Sequence, residues 1–155
     1  HIGSQLSVLA ESLGMNVIYY NRSPRSEKGA VSFEELLAQS DVLSLHAPLN
    51  DASRNIINAE SLAKMKKGAV LINTGRGGCV SSVDLARALE SGHIAAAGLD
   101  VLDDWTDNNP LFKATNCLIT PHSAWFTQEA LGKLSDIIIA NVKAFVAGKP
   151  QNVVS

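Results

Sequence analysis

The chain has 155 residues, of which 46% are hydrophobic and 18% charged, and its net charge is −2. This length predicts one domain, and the charge gives no electrostatic basis for binding nucleic acid or an anionic membrane surface. The longest apolar run, residues 137–140, is too short to span a bilayer. Two cysteines are too few for a disulfide framework, so we expect a reducing compartment, the cytoplasm.

The first half of the chain predicts alternating helices and strands. Leu6, Leu9 and Leu13 lie on one face of a helix, and Ser32 with Glu35 forms a capping box before another helix. In chain order, the predicted elements are a helix over 4–13, a strand over 16–20, a helix over 33–39, a strand over 41–46, a helix over 58–65 and a strand over 69–74.

The same alternation continues in the second half. Ser81, with Asp84 three residues later, marks the start of a helix. The elements predicted after it are a strand over 95–100, a polar loop over 103–109, a strand over 117–122 and a helix over 127–147. This last helix carries one apolar stripe, formed by Leu131, Leu134, Ile138, Val142 and Phe145.

The pattern of the strands predicts the fold class. Strands without strict polar alternation, separated by helices, indicate a parallel sheet that is covered on both faces. We therefore predict a doubly wound α/β domain. The chain starts with His and its elements start with a helix, so we expect the first strand and the Gly-rich turn of such a fold to be missing.

Reactive side chains lie at or just after the ends of several predicted strands: His46, Arg76, Asp100 and His122. Parallel strands end at a common edge of the sheet, where ligands of open α/β folds bind. His122 can donate a proton to a carbonyl oxygen, and the planar fork of Arg76 can hold an adjacent carboxylate. Each residue alone has a structural explanation, but the four together indicate a reduction site.

Two further features suit a dinucleotide. Gly3 lies where the third glycine of a G-x-G-x-x-G turn would open a pyrophosphate-binding helix, although a single glycine there is more often only a cap. Residues 21–25, NRSPR, follow the predicted strand over 16–20 without the carboxylate that binds ribose hydroxyls. Their arginines and serine suit a 2′-phosphate, and a solvated turn is the alternative.

Five motifs occur in a specific order and spacing: LAESLGMNVIYYNRSPR, DVLSLHAPL, LINTGRGG, AAAGLDV and NCLITPHSAW. With them the chain resembles the nucleotide-binding domain of the D-isomer-specific 2-hydroxyacid dehydrogenases over essentially its whole length. The branch that it resembles most contains the hydroxypyruvate and glyoxylate reductases. The resemblance implies a Rossmann-like NAD(P)-binding domain and hydride transfer between NAD(P)H and a small 2-keto or 2-hydroxy acid.

The resemblance also implies a role for each matched residue. Arg76 would bind the substrate carboxylate and polarise its carbonyl, His122 would be the acid and base, and Asp100 would hold the nicotinamide carboxamide. No metal is expected. The remaining cofactor contacts would be His1 and Ile2 at the pyrophosphate, Asn21, Arg22 and Ser23 at the adenosine ribose, Pro48 and Ser53 on the adenosine side, and Thr74, Gly75 and Arg76 at the nicotinamide ribose.

Two positions depart from the family pattern. The family glutamate that pairs with the histidine lies five residues after the aspartate, a position that Trp105 occupies in this chain. Because the loop is shorter than usual, we expect Asp104, or alternatively Asp103, to replace that glutamate. Asn21 stands where NAD-preferring members carry an acid, so the resemblance favours NADP(H) over NAD(H).

The resemblance sets the expected domains and partners. Residues 1–147 would form the dinucleotide-binding domain, and residues 148–155 would return to a substrate domain that the chain lacks. The full-length protein is expected to be a homodimer, and the 155 residues alone are expected to be inactive. Two alternatives stay open: a nucleotide-binding interaction module, like the co-repressors that resemble these dehydrogenases, and a truncated domain that binds nothing well.

Overall fold

A computed structural model of the protein describes residues 2–23 and 28–154. Within this part of the chain there are five α-helices and four β-strands. The helices are α1 (Ile2–Ser12), α2 (Phe33–Gln39), α3 (Ala59–Lys64), α4 (Ser82–Glu90) and α5 (Gln128–Val146). The strands are β1 (Val42–Leu45), β2 (Ala69–Asn73), β3 (Ile94–Leu99) and β4 (Cys117–Ile119).

The four strands form one parallel sheet in the order β1-β2-β3-β4. α3 connects β1 to β2, and α4 connects β2 to β3, as parallel neighbours require. α2 contacts α3, and α3 contacts α4. The predicted parallel α/β fold with flanking helices is confirmed, and its core includes Leu37, Leu43, Leu62, Leu71, Leu85, Leu89 and Ile94.

Short polar side chains begin the helices as predicted. Ser32 accepts a hydrogen bond from the Glu35 N–H, and the Glu35 carboxylate accepts one from the Ser32 N–H, so the predicted capping box is confirmed. Ser81 caps α4 by accepting from the Asp84 N–H. These caps satisfy helix N–H groups that have no partner within the helix.

The strand predicted over residues 16–20 is wrong. Tyr19 forms one isolated bridge with Ala30. In this bridge the Tyr19 N–H donates a 2.8 Å hydrogen bond to the Gly29 carbonyl, and the Val31 N–H donates a 3.0 Å hydrogen bond to the Tyr19 carbonyl. An apolar run becomes a strand only when a neighbouring strand pairs with it over several residues. Among the described residues, this segment pairs only with the chain around Ala30.

The chain divides into two compact units, residues 1–121 and residues 122–155. α5 lies in the second unit and begins after Thr127, as predicted. Its apolar stripe is not buried, however: Ile138 is 53% exposed and Phe145 is 74% exposed. No helix in the described part of the chain has the length and apolar character needed to cross a membrane.

Candidate active site

Arg76 lies in the turn that follows β2. It comes three residues after the end of the strand and directly before a short 3₁₀ turn, Gly77–Cys79. The residue is exposed, and its Nη1 donates a 2.8 Å hydrogen bond to the Gly75 carbonyl. Among the described residues this neutral carbonyl is the one hydrogen-bond partner of the guanidinium, so the fork keeps donors for a carboxylate.

Asp100 follows β3 directly and is 3% exposed. Thr120 Oγ1 donates a 2.5 Å hydrogen bond to Asp100 Oδ1, and the Asp100 N–H donates a 2.9 Å bond to the Asn73 carbonyl. This backbone bond joins the carboxyl ends of β2 and β3. The predicted residues Arg76 and Asp100 therefore follow adjacent strands at one edge of the sheet.

Gly77 fixes the turn after β2 against the segment after β3. A Cβ at this position would lie 2.1 Å from the Leu102 carbonyl carbon and 2.4 Å from the Asp103 nitrogen. Only glycine permits such a close approach of two backbones. The turn that carries Arg76 thus packs directly against the segment that follows Asp100.

The loop after β3 holds the two candidate replacements for the family glutamate. The Asp104 carboxylate accepts bonds from the Thr106 N–H at 2.9 Å and the Thr106 hydroxyl at 2.8 Å. Asp103 lies 3.9 Å from Arg54 Nη1. Trp105 is 46% exposed, and its ring centroid is 6.5 Å from that of Phe112. These contacts do not decide which of the two carboxylates replaces the family glutamate, so the choice of Asp104 stays a prediction.

The first turn of α1 approaches the carboxyl end of β1. A Cβ on Gly3 would lie 3.2 Å from His46 Cδ2, so the missing side chain lets the helix and the strand end pack closely. No acidic residue lies in the first turn of α1, and Ile2 is 70% exposed. The positive end of the helix dipole is therefore free of carboxylates that would repel a pyrophosphate. His1 lies outside the described residues.

Asn21, Arg22 and Ser23 are all exposed. Asn21 and Arg22 line a cleft of about 360 Å³ together with Tyr20, Ser32 and Glu35. Both backbone and hydroxyl bonds from Ser32 lower the pKa of Glu35, so this carboxyl is charged at neutral pH. Pro24 and Arg25 lie outside the described residues, so Arg22 is the basic residue of NRSPR that the structure places beside this cleft.

Pro48 and Ser53 belong to the loop after β1. Pro48 is exposed, whereas Ser53 is 7% exposed. The Ser53 hydroxyl donates a 2.6 Å bond to the Pro48 carbonyl and accepts a 2.8 Å bond from the Asn50 N–H. Ser53 therefore holds this loop in shape, and its predicted position beside the adenosine stays a prediction. Thr74, the first residue after β2, is exposed.

His122 is the first residue of the second unit. Its side chain is exposed, and its backbone has a φ of 55°, in the left-handed region that non-glycine residues seldom adopt. Backbone in sparsely populated regions is found most often at functional sites, because the surrounding structure must impose it. This conformation is consistent with a functional role for His122.

Neither free cysteine is suited to nucleophilic catalysis. Burial raises the pKa of the Cys79 thiol above its usual value, and burial raises the pKa of Cys117 to about 11. Thiols with raised pKa values are protonated at neutral pH and are weak nucleophiles. Neither thiol is therefore a candidate nucleophile at neutral pH.

Sequence reasoning missed three polar residues that hold the site. Asn73 is 0% exposed and lies under the Arg76 turn, Thr120 binds Asp100, and Asn109 is 2% exposed. Asn109 Nδ2 donates a 2.7 Å bond to the Asp104 carbonyl. A signal was present for Asn73, because a polar residue that ends a run as apolar as AVLI is buried with it and needs a partner.

A parallel sheet whose carboxyl edge presents the start of a helix, a buried aspartate and an exposed arginine defines a dinucleotide-binding domain of the Rossmann type. The family model of the D-isomer specific 2-hydroxyacid dehydrogenase NAD binding domain matches residues 1–124. The chain belongs to this family.

Three similar proteins illustrate the relationship. The glycerate dehydrogenase of Methylorubrum extorquens is 46% identical over 99% of this chain and 49% of its own length. The hydroxypyruvate reductase of Blautia hydrogenotrophica is 42% identical over 99% of this chain and 50% of its own. An acyclic imino acid reductase, solved in complex with NADPH and D-Arg, superposes with a TM-score of 0.88 at 38% identity, over 99% of this chain and 50% of that one. The chain spans about half the length of the curated relatives it matches.

Proposed function

We propose that the whole protein containing this chain reduces small 2-keto acids, such as hydroxypyruvate or glyoxylate, with NADP(H) or NAD(H). The observation that carries this proposal is the exposed guanidinium of Arg76 at the sheet edge that also holds buried Asp100. The similar glycerate dehydrogenase and hydroxypyruvate reductase support the substrate class.

The residues present fit a dinucleotide. The N–H groups at the start of α1, including that of Ile2, would bind the pyrophosphate, because Gly3 seats this helix end against the end of β1. Asp100 would accept the carboxamide N–H of the nicotinamide, and the backbone of Thr74 and Gly75 would line the adjoining ribose. The reduced nicotinamide, when bound, supplies the hydride that the keto carbon receives.

Two side chains would act on the substrate. Arg76 would bind the carboxylate and polarise the neighbouring carbonyl, which stabilises the negative charge that develops on its oxygen. His122 would donate a proton to that oxygen, so that a hydroxyl forms as the carbon is reduced. The reaction consumes the keto acid, the reduced cofactor and one proton, and it yields the 2-hydroxy acid and oxidised cofactor.

NADP(H) is the proposed preference. Asn21, Arg22 and Ser23 offer a cation and hydrogen-bond donors where a carboxylate would be needed for the ribose hydroxyls of NAD. Glu35 also lines this cleft, but its carboxylate is turned to the Ser32 N–H.

The remaining expectations are also proposals for the whole protein. A homodimer, a location in the cytoplasm and the return of residues 148–155 to a substrate domain rest on the family resemblance and the composition. A nucleotide-sensing module without turnover is not favoured, because the relatives are named as dehydrogenases and reductases.

The test is an assay of the full-length protein with hydroxypyruvate and glyoxylate, each against NADPH and NADH. Oxidation of reduced cofactor that depends on the keto acid is expected, and Arg76→Ala should lower kcat/KM by about 10³-fold. Arg87→Ala is the matched control, because this exposed arginine of α4 pairs only loosely with Asp84, at 3.9 Å. A folded protein that oxidises neither cofactor with either acid contradicts the proposal.

A further inference from the structure

Asn73 is a buried polar residue at the base of the Arg76 turn. It ends β2, where the register places it between Leu45 of β1 and Leu99 of β3, and it is 0% exposed. An amide at such a position must find hydrogen-bond partners inside the protein, since it has no access to water. Its partners therefore show what the amide does there.

Both ends of the Asn73 amide bind the backbone of the turn. Nδ2 donates a 3.0 Å bond to the Arg76 carbonyl, and Oδ1 accepts a 3.0 Å bond from the Gly75 N–H. The side chain thus bridges the residue before Arg76 and Arg76 itself. In a site without water such bonds are costly to break, because each lost partner leaves a desolvated polar group behind.

Two further contacts connect the Arg76 turn to the chain around the end of β3. A Cβ on Gly77 would overlap the backbone of Leu102 and Asp103, so the chain after Arg76 packs closely against the segment after β3. The Asn73 carbonyl accepts the 2.9 Å bond from the Asp100 N–H. One residue therefore connects the backbone of Arg76 to that of Asp100.

We propose that Asn73 is a positioning residue, which fixes the backbone of Arg76 relative to Asp100. The inference rests on the proposed function, in which Arg76 holds the substrate carboxylate and Asp100 holds the nicotinamide. The Arg76 side chain is exposed and is not held by packing, so the position of its guanidinium depends on the position of its backbone. Reactants must meet within a narrow geometry, and a shift of about 1 Å far from the chemistry costs about 100-fold in rate.

The test is a double-mutant cycle between Asn73 and Arg76 in the full-length protein. Asn73→Asp has nearly the same shape and still accepts from the Gly75 N–H. Because burial raises the pKa of a carboxyl group, the assay is run with rising pH until the new carboxyl is ionised and no longer donates to the Arg76 carbonyl. We expect kcat/KM for the keto acid to fall by about 100-fold in the otherwise unchanged enzyme. In the Arg76→Ala background the same substitution should cause no further loss, because its effect passes through Arg76.

Asn58→Ala controls for a purely structural effect. Asn58 caps α3 by accepting from the Glu60 and Ser61 N–H groups, at 3.0 Å and 3.1 Å. Loss of this cap should lower the free energy of unfolding by about 1 kcal/mol and leave kcat/KM unchanged. A drop in kcat/KM with Asn58→Ala equal to that with Asn73→Asp would contradict a specific role for Asn73.

The outcomes separate this inference from the proposed function. If Arg76→Ala leaves kcat/KM unchanged, the proposed function fails. If Arg76→Ala is impaired but Asn73→Asp is not, or if the two losses multiply, Asn73 does not act through Arg76. Should Asn73→Asp not fold, Asn73→Ser replaces it. Should neither fold, hydrogen exchange of the Gly75 amide in the unsubstituted protein decides. Slow exchange supports the role of Asn73, whose Oδ1 accepts from this amide, and exchange at the rate of an exposed loop amide overturns it.

Discussion

The sequence predicted a strand followed by an arginine in two regions: β2, which Arg76 follows, and residues 16–23, where Arg22 follows the predicted strand. β2 has a parallel neighbour on each side, and the turn after it is held by the buried amide of Asn73. Residues 16–23 have one bridge, at Tyr19, and Arg22 is exposed beyond it. A strand end becomes a precise site only where neighbouring strands and buried polar groups fix it.

The largest expected effect comes from breaking the contact under the Arg76 turn. Gly77→Ala would place a Cβ 2.1 Å from the Leu102 carbonyl carbon, so one of the two backbones must move. We expect a loss of about 3 kcal/mol in the free energy of unfolding, measured by urea denaturation. Gly132→Ala is the control, because a Cβ there meets nothing within 4 Å and alanine favours the helix. Equal stability of the two variants would contradict this close packing.

A smaller effect is expected where Thr120 supports Asp100. Thr120→Val keeps the shape of the side chain and removes the donor that lies 2.5 Å from Asp100 Oδ1. The buried carboxylate then loses a partner, which should lower the free energy of unfolding by about 2 kcal/mol. Thermal unfolding without cofactor measures the loss of stability. The same measurement with reduced cofactor shows whether the cofactor stabilises the variant less, since Asp100 is also proposed to bind the nicotinamide. Unchanged stability would show that Asp100 finds another donor.

At the other strand end, Arg22→Ala should change selectivity rather than stability. The side chain is exposed, so the fold loses little, but a 2′-phosphate would lose a charged partner. We expect the KM for NADPH to rise about tenfold while that for NADH stays constant. Lys28→Ala, which removes another positive charge from the same part of the chain, is the control. Equal changes in both KM values would contradict the NADP(H) preference.

The smallest effect concerns His46, which directly follows β1. Partial burial lowers the pKa of this imidazole below 6.5, so the folded protein favours its neutral form. Because the unfolded chain binds the proton more readily, this contribution to stability is present above pH 6.5 and is lost as the pH falls. His46→Gln should flatten that part of the curve of unfolding free energy against pH. An unchanged slope would contradict the assignment.

Much of the site could be predicted because its residues follow strands that the sequence marks clearly. The runs AVLI and IAAAGL are apolar along their whole length, so the carboxyl ends of these strands, and with them Arg76 and Asp100, were assigned to one edge of the sheet. The run VIYY misled the prediction, since its composition is that of a strand but partner strands are needed to make one. Asn73 and Thr120 were not identified, because a buried polar residue shows its role only through its partners.

The sequence by itself determined the periodicities, the helix caps and the family motifs, because these depend on residues a few positions apart. Tertiary structure alone decided which of the predicted strands pair, which polar groups are buried, and how Gly77 and Asn73 hold the turn around Arg76. The strand pairs and the approach of Gly77 to Leu102 join residues far apart in the chain, and Asn73 is buried only once the sheet has formed. Their energies depend on the removal of water, which no local pattern of residues records.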